Sequence, residues 1–277
     1  MKKTIIAMAI IATTLTACSE PVKAEVFGSV EKKWDNGTEA ISSEDTYLGY
    51  SIYEDLGNGL YAQGEISMDL SSTATERKTF IGLANSIAAI SVGKQGSVQG
   101  DLGNNTIDIF EGPGFDVNNS ADIDNSIIGS VNISGLKILG SNIPISAEND
   151  SYEVGAKLNI GPVALGGVYA ETAANVTNKL VGATITYNGV DIGGVFEIEK
   201  DAAGTETNTV TTVSTISSGT NDIKAGFQDV ENISETYTLE GVHNFSSKTS
   251  AYVNYQKSET DVGVKNDTTT VGMRVQF

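Results

Sequence analysis

The sequence predicts an all-β fold, a transmembrane antiparallel β-barrel of sixteen strands with one loop folded inward. Short segments with alternating apolar and polar residues recur along the chain, and the connections between them are alternately tight and long. The 30 glycines and four prolines accompany many β-branched residues, and no amphipathic helix stands out. Segment 205–215 supplies the sixteenth strand although it alternates weakly, so fourteen strands is the alternative.

The N-terminus predicts a signal for export. Two lysines precede an apolar run that is too short to span a membrane as a helix, which takes about 20 apolar residues. The small-x-small pattern at 22–24 predicts a signal peptide at 1–24 and a mature barrel at 25–277. An alternative stays open, because Leu-Thr-Ala before Cys18 also fits lipidation of that cysteine, the only one in the chain.

Charge narrows the classes of partner. The chain carries 17 Lys and Arg against 35 Asp and Glu, a formal net charge of −18. Nucleic acid is excluded as a partner, because binding to a phosphate backbone needs basic patches. An acidic cleft or channel, in contrast, attracts cations and repels anions.

The connections between the predicted strands fall into two sets that alternate along the chain. The tight set is 57–59, 85–87, 133–135, 160–162, 188–189 and 246–248. The longer and more polar set is 35–45, 71–76, 96–124, 143–150, 171–177, 201–204 and 260–268. Outer-membrane barrels have tight turns at one end and long loops at the other, whereas a soluble Greek-key sandwich does not sort its loops in this way.

The last strand has one apolar face and one polar face. Val271, Met273, Val275 and Phe277 alternate with Thr270, Gly272, Arg274 and Gln276. Lipid on one side and a watery lumen on the other suit these two faces. Because an open sheet edge cannot face lipid, we expect this strand to pair with the first strand, 25–34.

The longest connection, 96–124, is rich in glycine and has the apolar side chains needed to pack against a wall inside the barrel. These apolar residues are Ile107, Ile109, Phe110 and Phe115. If the loop folds inward, the carboxylates of Asp108 and Glu111 point at the aperture. The alternative, from sequence alone, is an ordinary surface loop with solvated acids.

Several segments resemble the general porins of Gram-negative outer membranes. RKTFIGLANSIAAISVGKQ (77–95) resembles the strand-turn-strand unit before that family's constriction loop, and NNTIDIFEGPGF (104–115) resembles the loop itself. FSSKTSAYVNYQ (245–256) and the terminal VGMRVQF (271–277) resemble the closing strands. The resemblance extends over 25–277 and implies a water-filled channel for passive diffusion of small hydrophilic solutes and ions.

The resemblance also implies a pore constriction. Asp108 and Glu111 would narrow the pore from the loop, and the bases Arg77 and Lys94 would face them from the wall. The chain has only two arginines, so we expect the field across the pore to be weak and tilted negative. Selectivity follows the lining charges, which predicts a cation-selective pore.

Strand alternation and the resemblance together predict the pore lining and the partners. The residues predicted on the lumen side are Tyr47, Glu65, Asp69, Glu240 and Arg274. The final Phe277 resembles the family's signal to the barrel-assembly machinery. The further partners implied are two more copies of the chain in a homotrimer, outer-membrane lipid, small hydrophilic solutes and cations.

No catalytic site is predicted. The only histidine, His243, shares an apolar strand face with Leu239 and Phe245, and the sequence offers no cysteine or histidine cluster for a metal. We therefore expect neither enzyme activity nor a cofactor. Two other functions stay open, namely a barrel that only anchors a surface protein such as an adhesin or phage receptor, and a soluble lipoprotein domain.

Overall fold

The structure is a computed structural model of the 277-residue chain. It describes residues 22–37, 41–43, 45–71, 73–117, 122–143, 151–172 and 175–277. The predicted signal peptide falls mainly on residues 1–21, which lie outside the described residues, as does the alternative lipidation site at Cys18.

Sixteen long strands, counted over the described residues, form one closed antiparallel sheet. They are β1 (Lys23–Asp35), β2 (Tyr47–Gly57), β3 (Leu60–Asp69), β4 (Thr75–Ala84), β5 (Ala88–Gly96), β6 (Asp122–Ile133), β7 (Leu136–Ile143), β8 (Ser151–Ile160), β9 (Val163–Glu171), β10 (Thr177–Tyr187), β11 (Val190–Lys200), β12 (Glu206–Ser218), β13 (Asn221–Val230), β14 (Ser234–Ser246), β15 (Thr249–Thr260) and β16 (Lys265–Gln276). A two-residue strand, Ile41–Ser42, pairs beside β1. The predicted sixteen-strand barrel is confirmed and the fourteen-strand alternative is wrong, because the weakly alternating segment forms β12.

The sheet closes where the last strand meets the first. Val275 lies opposite Val30 in the β1–β16 register. The N–H of Phe277 donates to the carbonyl of Gly28 at 3.1 Å, and the N–H of Gly28 donates back to the carbonyl of Phe277 at 3.2 Å. A Cβ atom on residue 28 would lie 2.6 Å from the backbone oxygen of Tyr47 and 2.8 Å from the Phe277 ring, so glycine allows both the neighbouring strand and the terminal ring to come close.

The two faces of the sheet differ in polarity as the alternation predicts. On β16, Val271, Met273 and Val275 are exposed on the outer face, whereas Thr270 and Gly272 are buried inside. Exposed Val, Ile, Leu, Phe and Tyr side chains cover the outer face of the other strands as well. A wall with apolar side chains outside and hydroxyl, amide and charged groups inside fits a hydrocarbon exterior and a wet interior.

The turn at 188–189 shows how the sequence sets the tight end of the barrel. Asn188 and Gly189 have φ values of 50° and 78°, as a two-residue hairpin turn requires, and they join β10 to β11.

Among the described residues, no helix has the length and apolar composition needed to cross a membrane.

Candidate functional site

The connection between β5 and β6 folds into the barrel. Its described part, 97–117, contains two short helical segments, Gly100–Asn104 and Asn105–Ile107. The loop and the wall together form the buried apolar cluster, which consists of Val98, Leu102, Ile107, Phe110, Phe115 and Val117 from the loop and Leu139, Val168, Leu180, Val195 and Val213 from β7 to β12. The predicted inward loop is thus confirmed over the surface-loop alternative, and only Ile109 of the predicted apolar set is partly buried.

A wall glycine allows the loop to come close to β13. The rings of Phe110 and Phe115 meet edge to face, with their centroids 5.7 Å apart. A Cβ atom on Gly226 would lie 2.4 Å from the Phe115 ring and 3.0 Å from the Phe110 ring. The two rings therefore occupy the space that any larger residue at this wall position would need.

The tip of the loop is held by the carboxylate of Glu240 on β14. Its two oxygens accept the N–H groups of Glu111 and Gly112, each at 2.8 Å. Asn254 on β15 donates to the same carboxylate at 3.0 Å and to the carbonyl of Pro113 at 3.2 Å. Glu240 is 1 % exposed, so it faces inward as predicted but anchors the loop and does not line open water.

Two cations meet the carboxylate of Glu111. Arg274 Nη1 lies 2.5 Å from Glu111 Oε2, and Lys224 Nζ lies 3.1 Å from Glu111 Oε1. Arg274 also donates to Glu31 on β1 at 3.0 Å. Lys224 lies 3.4 Å from Glu240 as well, so it contacts both the loop tip and its anchor.

A second carboxylate holds the start of the loop. Glu153 on β8 is 6 % exposed and accepts the N–H of Val98 at 2.6 Å. It also accepts from Gln99 at 3.3 Å and from the hydroxyl of Ser141 at 3.0 Å. Hydrogen bonds to a charged group contribute about 1.5–3 kcal/mol each, which is enough to fix both ends of this segment.

Two polar cavities lie in the lumen beside the loop. The first has a volume of about 610 Å³, and its charged lining residues are Glu65, Arg77, Lys78, Asp101, Asp108, Asp122 and Lys137. The second has a volume of about 500 Å³, and its charged lining residues are Glu31, Asp45, Arg77, Asp108, Glu111, Asp116 and Arg274. Arg77 and Asp108 line both cavities, so the two spaces adjoin at this pair of opposite charges.

Arg77 is fixed on the wall by an acid and an aromatic ring. Its Nη1 donates to Asp45 Oδ1 at 3.3 Å. Its guanidinium carbon lies 4.1 Å from the centre of the Tyr47 ring, a cation–π contact. Arg77 and Tyr47 therefore lie on the lumen side, where both were predicted.

Asp108 is the loop acid that lines both cavities. Asp108 is exposed to the lumen, but the surrounding protein atoms remove part of the water around its carboxyl group. This partial desolvation, together with the nearby charge on Asp116, raises the pKa of Asp108 to about 6. The carboxylate is ionised at neutral pH and takes up a proton as the pH falls through 6. Its charge therefore changes within a pH range in which most other carboxylates stay ionised.

The structure does not bring Lys94 to the aperture, so its predicted place is corrected. Lys94 continues the alternation of Ile90 and Val92, which are half exposed on the outer face of β5. Its Nζ lies 3.2 Å from Asp124 Oδ1. A strand reverses the face of its side chains at every residue, so being next to the loop in sequence did not decide where Lys94 points.

Glu65 and Asp69 lie on β3, but only Glu65 lines a cavity. Glu65 accepts from Ser67 at 3.0 Å and lines the first cavity. Asp69 accepts the N–H and hydroxyl of Ser71 at 2.7 and 2.6 Å, at the end of the strand. Asp69 therefore shapes the following loop and lies outside the lining of both cavities.

Sequence reasoning missed several charged residues of the site. Lys224 and Glu31 lie in the middle of strands whose alternation assigns them to the lumen, so parity was the signal that could have found them. Asp45 and Asp116 lie in connecting segments without periodicity, and the sequence holds no signal for their place.

A family profile described as Gram-negative porin matches residues 6–263. Among solved structures the chain is similar to an anion-selective porin from Comamonas acidovorans, with a TM-score of 0.81 and 16 % identity over 92 % of this chain and 100 % of that chain. It is also similar to a loop L8 deletion mutant of Vibrio cholerae OmpT, with a TM-score of 0.78 and 15 % identity over 92 % of this chain and 99 % of that chain.

A third similar structure is Salmonella typhi OmpF in complex with daunomycin, with a TM-score of 0.77 and 12 % identity over 93 % of this chain and 98 % of that chain. No curated protein sequence matches the chain. At these identities the solved structures establish the fold, and the profile establishes the family. The chain belongs to the Gram-negative porin family and is a multi-pass channel protein of the outer membrane.

Proposed function

We propose that this porin is a water-filled, cation-preferring channel for passive diffusion of small hydrophilic solutes, that it assembles as a homotrimer, and that it catalyses no reaction. The observation that carries the cation preference is the lining of the second cavity, where five carboxylates accompany two guanidinium groups. Of the acids there, Asp45, Asp108 and Asp116 are exposed. Lining charges set the selectivity of such pores, so this excess favours cations.

The similar porin from Comamonas acidovorans is described as anion-selective, and that selectivity is a property of that protein. Selectivity depends on lining side chains, and only 16 % of residues are identical between the two chains. In this chain the first cavity also has more acids than bases, although only by four to three. Both cavities therefore support the same sign of preference.

An open lumen is supported over a barrel that serves only as an anchor. Cavities of about 610 and 500 Å³ remain beside the folded loop, and polar groups line most of both. The absence of catalysis is supported by the position of His243, which is exposed on the outer face of β14. Its Nδ1 lies 2.9 Å from Asn221 Oδ1, and its ring packs against Phe245.

The trimer is supported by similarity to the trimer form of Vibrio cholerae OmpT, with a TM-score of 0.75 and 14 % identity. The mass of the detergent-solubilised protein, measured by light scattering with the detergent contribution subtracted, tests this part. A mass of three chains is expected, and a mass of one chain would contradict it.

The channel itself is tested by recording purified protein in a planar bilayer under a KCl gradient. Conductance that rises in groups of three equal steps, with a reversal potential of the sign for K⁺ preference, is the expected result. Inserted protein that passes no current would overturn the channel proposal and favour the anchor. A reversal potential of the opposite sign would overturn the cation preference alone.

A further inference from the structure

We propose that Lys224 is the positioning residue that fixes the tip of the constriction loop, and that Glu111 is its anchor partner and does not set the field in the pore. The inference deepens the proposed channel function and rests on it for the electrical readout only. The two loop acids, Asp108 and Glu111, therefore have different tasks, although the sequence predicts the same task for both.

Lys224 is buried inside the barrel. This side chain lies on the lumen face of β13, directly opposite Glu240 in the β13–β14 register, and is 6 % exposed. A buried ammonium group is stable only with charged or hydrogen-bonded partners. The ion-pair partners of Lys224 are the carboxylates of Glu240 and Glu111, at 3.4 and 3.1 Å.

Glu240 contacts both the loop tip and Lys224. Its carboxylate accepts both N–H groups of the loop tip while it faces Lys224. Without the ammonium group, the carboxylates of Glu240 and Glu111 would lie side by side with no cation between them. Arg274 would still contact Glu111, but it does not reach Glu240. Two carboxylates that share one ammonium group repel each other when that group is removed, so the tip would separate from its anchor.

The charge of Glu111 is compensated by two cations. Arg274 contacts one carboxylate oxygen of Glu111 and Lys224 contacts the other. With a cation on each oxygen, little negative field from Glu111 extends into the lumen. Asp108, in contrast, lines both cavities and is exposed.

The test compares Lys224→Met with the conservative Lys224→Arg. The control is Lys265→Met, the same change at an exposed lysine that pairs with Glu259 at 3.2 Å away from the loop. The readouts on full-length, detergent-folded protein are hydrogen exchange of the 111–112 backbone amides, followed by mass spectrometry, and reversal potential with open-channel noise in planar bilayers.

In Lys224→Met we expect the amides at 111–112 to exchange at least about tenfold faster, because the loop tip separates from Glu240, the acceptor of both amides. Open-channel noise should rise together with the exchange rate. Lys224→Arg should restore slow exchange, and Lys265→Met should match the wild type. Asp108→Asn should shift the reversal potential and leave exchange at 111–112 unchanged.

Unchanged exchange at 111–112 in a folded Lys224→Met protein would overturn the proposal, even if the reversal potential moved, because Lys224 would then act only as a lumen charge. If Lys224→Met does not fold, Glu111→Gln is measured in its place. This variant removes the ion pair between Lys224 and the loop tip but keeps the ion pair between Lys224 and Glu240. Faster exchange in Glu111→Gln, with a smaller shift of reversal potential than in Asp108→Asn, supports the proposal. Exchange as slow as in the wild type, or a shift at least as large as in Asp108→Asn, overturns it. Because exchange needs no current, a loss of channel activity leaves the exchange result interpretable.

Discussion

Arg77 and Asp108 carry opposite charges at the point where the two lumen cavities adjoin. Arg77 was placed correctly by its resemblance to a wall position, and Asp108 by the pattern of the loop around it. Lys94 lies away from its predicted place at the aperture. It comes just before the loop in the sequence, but strand alternation puts its side chain on the outer face of β5.

Parity alone would also misplace Arg77, which has the same parity on β4 as the outward-facing Ile81 and Leu83. A register irregularity at 67–68 of β3 leaves Arg77 outside the regular pairing, and its side chain lies in the lumen.

We predict that Arg77→Gln and Lys94→Gln differ although each removes one positive charge near the loop. A unit charge about 8 Å from a passing ion contributes about 0.5 kcal/mol in water, or roughly a twofold change in local ion concentration. Arg77→Gln should therefore increase the cation-to-anion permeability ratio about two- to fivefold in a KCl gradient. Lys94→Gln serves as the matched control and should leave the ratio as in the wild type, whereas equal shifts in both would contradict the placement of Lys94.

The constriction loop owes its position to a fit between loop and wall elements. The apolar side chains that hold the loop were predictable from the loop sequence. Of the four predicted residues, three belong to the buried cluster and Ile109 packs against it. The wall partners were not, since nothing in the strand of Gly226 indicates that two rings will lie across it. For Glu240, likewise, strand alternation predicted that the side chain points inward, but nothing in the sequence predicted that the loop tip lies on its carboxylate.

Gly226→Val should displace the loop from β13. The new side chain needs the space that the Phe110 and Phe115 rings occupy, and overpacking of this kind costs about 1–3 kcal/mol. We expect a changed single-channel conductance and a lower unfolding midpoint in denaturant titrations of the detergent-folded protein. Gly241→Val is the matched control, because a Cβ atom there meets open space, and a similar loss in both variants would count against the fit.

The barrel as a whole depends on one seam between the first and last strands. Closure could be predicted because lipid leaves no other arrangement for the backbone hydrogen bonds, and the alternating faces could be predicted because lipid lies on one side of the wall and water on the other. Strand β12 (Glu206–Ser218) was the hardest strand to predict, because threonine and serine on both of its faces weaken the alternation of polar and apolar residues. The register of the seam, with Phe277 over Gly28, came only from the structure.

Phe277→Ala should impair assembly of the barrel. The terminal ring covers Gly28 at the seam, and the resemblance predicts that the same aromatic residue is read by the assembly machinery. We expect several-fold less heat-modifiable, folded protein in the outer membrane, whereas Val271→Ala, on the same outer face, should assemble as the wild type does. Equal assembly of both variants would contradict the role of Phe277.

The pH dependence of selectivity tests the central claim, an acidic aperture controlled by Asp108, most directly. The measurement is the reversal potential in a KCl gradient from pH 7.5 to 4.5, for wild type and Asp108→Asn. Because desolvation raises the pKa of Asp108 to about 6, its charge is present above that pH and lost below it. The wild type should lose cation preference as the pH falls through 6, and Asp108→Asn should have a weaker preference that does not change in this range. A wild-type preference that stays constant through pH 6, or is for anions at pH 7.5, would contradict the account.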